Sequence, residues 1–140
     1  MDTETFRIVA PFVIEVGAGV TAGLAEQVSW RVGYAPERDA DGRYLVARLY
    51  AANGSGRVRV ELSAILVGGD TETIDSDTAD GFEAALVASN ALDSLYSLAR
   101  LTAHGLLGTI TTPIELPVSP PTPAVSRLVR KGSATTPVEA

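Results

Sequence analysis

From Gln27 to Val67 apolar and polar residues alternate with a period of two, and two turn signals divide the run into three strands. A strand turns successive side chains to opposite faces, so each alternating run defines one buried and one outward side. In the first of these strands Val28, Trp30, Val32 and Tyr34 share a face, with Gln27, Ser29, Arg31 and Gly33 on the other. The polar stretch Ala35–Gly42 follows and ends in Asp41-Gly42, a hairpin signal. Arg43 to Ala51 then puts Leu45, Ala47, Leu49 and Ala51 on one face and Tyr44, Val46, Arg48 and Tyr50 on the other. Both faces of this strand are partly apolar. Asn53-Gly54-Ser55-Gly56 offers residues suited to positive φ and a second tight hairpin. Arg57 to Val67 completes the run, with Val58, Val60, Leu62, Ala64 and Leu66 inward and Arg57, Arg59, Glu61 and Ser63 outward. The pattern predicts an antiparallel meander.

A further strand precedes it. Phe6, Ile8, Phe12, Ile14 and Val16 have one parity and are expected to share a face. Pro11 lies within the run and cannot donate to a ladder, so this strand is expected at a sheet edge, or bent there. Gly17 to Glu26 carries glycines at 17, 19 and 23 and reads as a mobile connection, longer than the usual hairpin loop.

After the meander the chain turns acidic, with Asp70, Glu72, Asp75, Asp77 and Asp80 close together. An EF-hand calcium loop wants glycine at its sixth position and glutamate at its twelfth. Starting at Asp70 places Asp75 and Gly81 there, and starting at Asp75 places Asp80 and Leu86 there, so neither register fits. The segment reads as an acidic loop leading into a helix, with Asp80 and Glu83 spaced as a capping box. Ala85, Val87, Ala88, Leu92, Leu95, Tyr96, Ala99, Ala103 and Leu106 recur at helical spacing, which predicts one long helix from about Asp80 to His104 capped by Gly105. From Thr109 to Pro123 the chain carries prolines at 113, 117, 120, 121 and 123, an extended arm in character. The expectation is therefore an α+β fold: a four-stranded antiparallel sheet, a long amphipathic helix and an extended C-terminal arm. Residues 1–118 form one domain, and 119–140 are the Pro-rich arm and a flexible tail.

Composition narrows the function. With 140 residues the chain suits one domain, which buries roughly 70% of the surface exposed when unfolded. There are 11 basic and 17 acidic residues, a formal net charge of −6, and the basic ones are scattered along the strands except near the C-terminus. Neutralising nucleic-acid phosphates takes clustered Lys and Arg, so no nucleic-acid partner is expected. No run of eighteen apolar residues occurs, and the acidic Met1-Asp2-Thr3-Glu4 is unlike a secretory signal, so a cytoplasmic protein without a membrane span is expected. Cysteine is absent, which removes disulfides, thiolate metal sites and cysteine nucleophiles. His104 is the only histidine and has no nucleophile or carboxylate constellation around it; placement at a helix C-terminus is the plainer role. Gly17, Gly19 and Gly23 follow a strand, but the last gap is one residue too long for a dinucleotide fingerprint. No catalysis, cofactor or metal is expected. A sheet with two apolar faces cannot be covered by one helix, so a homo-oligomer is expected.

Asn90-Ala91-Leu92-Asp93-Ser94-Leu95-Tyr96-Ser97-Leu98-Ala99-Arg100 resembles the helix of the SecB family of export chaperones, where a polar residue, Leu and an aromatic precede an Ala/Leu-Arg pair. Gly105-Leu106-Leu107-Gly108-Thr109 through Leu116-Pro117 is similar to that family's glycine turn and following segment. Gly17–Glu26 falls where the family has its crossover loop, and the order of elements agrees from Phe6 to Val118. This chain has Ser94-Leu95-Tyr96 where the family carries a proline–aromatic pair, and its crossover is almost free of aromatics. The resemblance implies ATP-independent holding of unfolded or precursor proteins on apolar grooves of a tetramer. The client-binding residues it implies are Val20 and Leu24 in the crossover, Tyr34 and Tyr44 beside the hairpin, and Leu106, Leu107 and Ile110 after the helix. The same elements also suit a structural assembly subunit, such as a phage head–tail or tail component, whose Pro-rich arm would reach a neighbour in the virion.

Overall fold

The alternation between Gln27 and Val67 folds as the meander it predicts. The computed structural model describes residues 6–69, 78–110 and 113–128. Strands β1 (Arg7–Val20), β2 (Gln27–Tyr34), β3 (Arg43–Asn53) and β4 (Gly56–Val67) are followed by helices α1 (Ala79–Ala88) and α2 (Asp93–Ile110) and by a short strand β5 (Ala124–Arg127). The sheet runs β1-β4-β3-β2-β5, antiparallel except for the parallel pair β2–β5. It has five strands rather than the expected four, because part of the Pro-rich arm returns to the edge of β2. The acidic stretch 70–77 and the tail 129–140 lie outside the described residues.

Parity assigns the faces of β2, β3 and β4 correctly. Trp30, Val32, Tyr34, Leu45, Ala47, Leu49, Val58, Val60, Leu62 and Leu66 are all at most 4% exposed, on the side covered by the helices. Each fully buried Val or Leu contributes about 1.5–3 kcal/mol relative to an exposed one, so this layer dominates the fold's stability. Phe82 and Leu86 of α1 and Leu95, Tyr96, Ala99, Ala103 and Leu107 of α2 close the core. The alanines leave room for α2 to lie close over β4, β1 and β3.

The single long helix is two helices. Asn90 takes φ 63°, a left-handed conformation that asparagine tolerates better than most residues. Around it the Ser89 hydroxyl donates to the Leu86 carbonyl and accepts from the Ala91 N–H, while the Asp93 N–H bonds to the Asn90 carbonyl. The expected stripe holds from Leu92 onwards but not in α1, where Phe82 and Leu86 are buried and Ala85 and Ala88 are exposed, because the break at Asn90 turns a different face of α1 to the sheet. Nor does the capping box form. The helix starts at Ala79 after Thr78, no side chain caps it, and the Glu83 carboxylate accepts from Tyr34 instead. Gly105 is not a terminus either, since α2 runs on to Ile110 and so carries His104 on its exposed side rather than at its end. Leu106, Leu107 and Ile110 pack against the core, and that burial outweighs the helix cost of glycine, about 1 kcal/mol.

Turn chemistry also differs at the second hairpin. Positive φ is not used at Asn53–Gly56; the Asn53 side-chain oxygen accepts from the Ser55 and Gly56 N–H groups at 2.8 and 3.1 Å and closes the turn. Gly42 in the first hairpin does need its glycine. Its φ is +134°, and a Cβ there would lie 2.6 Å from the Leu66 carbonyl oxygen. Gly42→Ala is therefore expected to cost about 1–3 kcal/mol, read as a lower urea midpoint at unchanged slope.

The arm is fastened from inside. Ile114 and Leu116 are buried, and the Tyr96 hydroxyl donates to the Pro117 carbonyl at 2.6 Å while its ring meets Trp30 edge-on at 5.4 Å.

Candidate functional site

Both helices lie on one face of the sheet, so the other face is where an apolar residue meets water. In β1 the register passes from Val9↔Ile65 to Phe12↔Ser63, and from Val13↔Leu62 to Glu15↔Glu61. Each step inserts one extra residue, a β-bulge, and each bulge swaps the faces of everything after it. Ala10 sits in the first bulge at φ 52°, next to Pro11. Expected parity put Phe6, Ile8, Phe12, Ile14 and Val16 on one face. The bulges instead turn Phe12 away from Ile8 and onto the open face, in line with Ser63 of β4 and Val46 of β3.

There Phe12, Ile14 and Tyr44 stand 60%, 46% and 42% exposed around a hollow of about 280 Å³. Ala10, Ile65 and the strand at Ser63–Ala64 line the rest of it, with Ser63 only 2% exposed. Beyond this hollow the same face becomes charged. Glu15 pairs with Arg59 at 3.1 Å, and Arg48 with Glu61 at 3.6 Å. Exposed pairs of this kind contribute at most about 1 kcal/mol each, so their main effect is a polar border beside an apolar patch.

The helix-side face of β1 is also incompletely covered. Val13, Val16 and Val20 are 37%, 40% and 71% exposed there. β1 ends the sheet, as Pro11 implied, and among the described residues it pairs only with β4. The strand also reaches further than expected: Gly17 to Val20 pair with Arg59 to Gly56 and belong to the ladder. What remains of the glycine-rich connection, Thr21–Glu26, passes over the second hairpin, with the Thr21 and Gly23 N–H groups bonding the Ser55 and Gly54 carbonyls.

Of the residues singled out from the sequence, Tyr44 lies in the hollow. Val20 ends β1, and Leu24 is half-buried in the connection beyond it. Tyr34 is wholly buried, and Leu107 is 5% exposed in the core beneath α2. Leu106 and Ile110 are half-buried on α2. The seven are thus spread over the open face, one end of the sheet and the helix layer. Phe12, Ile14 and Ile65 were not singled out, because unbroken parity only grouped Phe12 and Ile14 with Phe6, Ile8 and Val16 on one face. Pro11 was the one signal of a bend.

Tyr34 has a different role. Its hydroxyl donates to Glu83 Oε2 at 2.7 Å and its ring lies 4.8 Å from Phe82, which also holds the buried Arg43 guanidinium 5.1 Å from its centroid. Burial first, then the Glu83 carboxylate, pushes the Tyr34 hydroxyl up from 10.0 to about 12. The folded protein thus favours the neutral phenol, and this contribution is whole below pH 10 and lost as pH rises towards 12. Base titration is expected to show a fall in stability across that window. The fall should be smaller in Tyr34→Phe, measured by urea unfolding at each pH.

Among the described residues no group of three His, Asp or Glu side chains could hold a metal ion, and no helix is long and apolar enough to cross a membrane. No family model matches the chain, and no curated protein matches it. Among solved structures it is similar to a SecB-like chaperone of Mycobacterium tuberculosis in complex with a ChAD peptide from the HigA1 antitoxin. That chain is 18% identical, the alignment covers 84% of this chain and 87% of that one, and the TM-score is 0.47.

Proposed function

We propose that this protein is an ATP-independent holdase of the SecB type, working in the cytoplasm and holding apolar stretches of unfolded or precursor proteins against the open face of its sheet. The observation that carries the reading is Phe12. A non-glycine residue at positive φ costs about 1–3 kcal/mol, and here Ala10 bears that strain in a bulge which turns an aromatic ring towards water. Phe12 itself stays 60% exposed, so its own burial does not offset that cost. A partner that covers Phe12, Ile14 and Tyr44 does.

The ion pairs beside the hollow suit such a partner, since they keep the edge of the patch hydrated and the protein dispersed while the apolar part stays available. Val20 lies on the helix-side face at the far end of β1 and Leu24 in the connection beyond it, so both stand apart from the hollow, and Tyr34 and Leu107 are buried; of the seven residues only Tyr44 belongs to this client surface. The bare helix-side residues Val13 and Val16 and the free edge of β1 support a homo-oligomer, a tetramer if the SecB plan is followed.

Stoichiometric protein is expected to delay light scattering by a chemically unfolded client without ATP. Scattering that proceeds as in buffer defeats the holdase reading. Light scattering coupled to size exclusion tests the oligomer, and a monomer at micromolar concentration counts against it.

A second reading, a structural assembly subunit of a virion, is favoured by one feature: an arm that leaves the core at Pro117 and adds a strand at a sheet edge. Deleting the residues after Val118 separates the two. A holdase keeps its activity, whereas an assembly subunit stops incorporating.

A further inference from the structure

The β2 edge is built to receive one particular segment. Ala124, Val125, Ser126 and Arg127 pair in parallel with Arg31, Val32, Gly33 and Tyr34, and the Leu128 N–H then bonds the Tyr34 carbonyl at 2.8 Å. Gly33 supplies a notch for this strand. A Cβ at Gly33 would come 2.4 Å from Leu128 Cδ2, so the leucine occupies the space that any other residue at 33 would fill. On the other side Val125 and Pro123 stand against Glu83 and Val87 of α1 across an open hollow of about 530 Å³. The backbone is thus well matched to its seat, but the side-chain packing is loose.

The chain leading to this strand is a hinge followed by a rod. The path bends at Val118–Ser119, where Val118 is 78% exposed, and among the described hydrogen bonds none involves 118–123. Prolines at 120, 121 and 123 then confine their predecessors to extended backbone. Val118–Pro123 spans roughly 20 Å when extended as polyproline. Opening one exposed bend therefore swings β5 away as a unit while Pro117 stays pinned to Tyr96. A receptor edge of the right shape, a stiff connector and a loosely packed strand are the parts needed for exchange between identical chains. In such an exchange the strand that leaves its own sheet forms the same hydrogen bonds and packing on the sheet of the other copy.

We infer that β5 is an exchangeable strand: in the assembled protein Ala124–Leu128 of one copy docks on the β2 edge of a second copy, with Leu128 in the Gly33 notch. Reciprocal docking about a twofold axis closes a dimer and leaves no free arm. This contact is independent of the holdase reading, because it is read as covalent mass and not as client binding.

The absence of cysteine makes the test direct. One full-length chain carries Arg31→Cys and another Ala124→Cys, positions that face each other in the register. The two are unfolded together, refolded as a mixture and oxidised, then run on a non-reducing gel. A disulfide-linked heterodimer is expected, and adding Gly33→Val to the Arg31→Cys chain should reduce its yield at least tenfold. A third chain with both cysteines reports the contact within one molecule. If that chain closes on itself while the mixture gives no heterodimer, the strand stays at home and the inference is overturned. If neither links, the β2–β5 contact does not form in solution and the inference falls as well.

Discussion

Replacing Phe12 and Tyr44 together by serine is expected to weaken client holding by about 10–100-fold while leaving the fold intact. Both rings are substantially exposed on the open face, so neither contributes much to the core. Truncating an aromatic at the centre of a binding surface costs on the order of 1–2 kcal/mol or more, and 1.4 kcal/mol is tenfold in affinity. Tyr44 is exposed on a regular stretch of β3, where a substitution usually shifts stability by no more than about 0.5 kcal/mol, while Phe12 stands between the two bulges of β1 and its replacement is expected to cost somewhat more. Fluorescence anisotropy of a labelled unfolded segment measures the first quantity and urea unfolding the second. Binding that survives the double substitution removes the hollow from the function. A large loss of stability would mean that the two rings support the sheet.

The largest effect on stability is expected at Tyr96. It is fully buried, meets Trp30 edge-on, and holds the start of the arm through Pro117. Tyr96→Ala should cost about 3–5 kcal/mol, the range for losing a large aromatic from a packed core. That is about a fifth or more of the total stability of about 5–15 kcal/mol typical of a domain. Tyr96→Phe keeps the ring and leaves the Pro117 carbonyl unsatisfied, for about 1–3 kcal/mol. The difference between the two variants separates packing from the pin. If Tyr96→Phe is neutral in urea unfolding, the arm is held by Ile114 and Leu116 alone.

The meander was legible because its strands obey period two without interruption and are separated by strong turn signals. Burial of one face then specifies the register, since a one-residue slip would exchange the core and solvent faces. β1 was legible as an edge strand through Pro11, but its faces were not. A parity argument assumes that every residue has a partner across the ladder, and Ala10 and Ile14 are where β1 carries one too many. Helical spacing located the helical region, but not its break or the face of its first part: Leu92, Leu95, Tyr96, Ala99 and Ala103 are buried as expected, whereas Asn90 breaks the backbone and α1 buries Phe82 and Leu86 instead of Ala85 and Ala88. β5 was not legible at all. Four residues of mixed propensity form a strand only because β2 offers an unfilled edge and a glycine notch, and that information lies in Gly33, about ninety residues earlier in the chain. The candidate site suffered from the same limit. Tyr44 could be read from the alternation of β3, whereas Phe12 and Ile14 depended on bulges that composition and spacing do not encode.

Tyr34 grips two separate pieces of the molecule: its hydroxyl and ring hold α1, and its carbonyl holds Leu128 behind β5. Asn90 divides the helices, so α1 and β5 share that grip while α2 lies separately over β4, β1 and β3. This corner is expected to open as a cooperative unit at a lower free energy than the rest of the protein unfolds. Amide hydrogens of α1 and β5 then exchange together and ahead of those in β3 and β4. Early joint exchange of α1 and β5 would mark the corner from which an arm is lent to a neighbour.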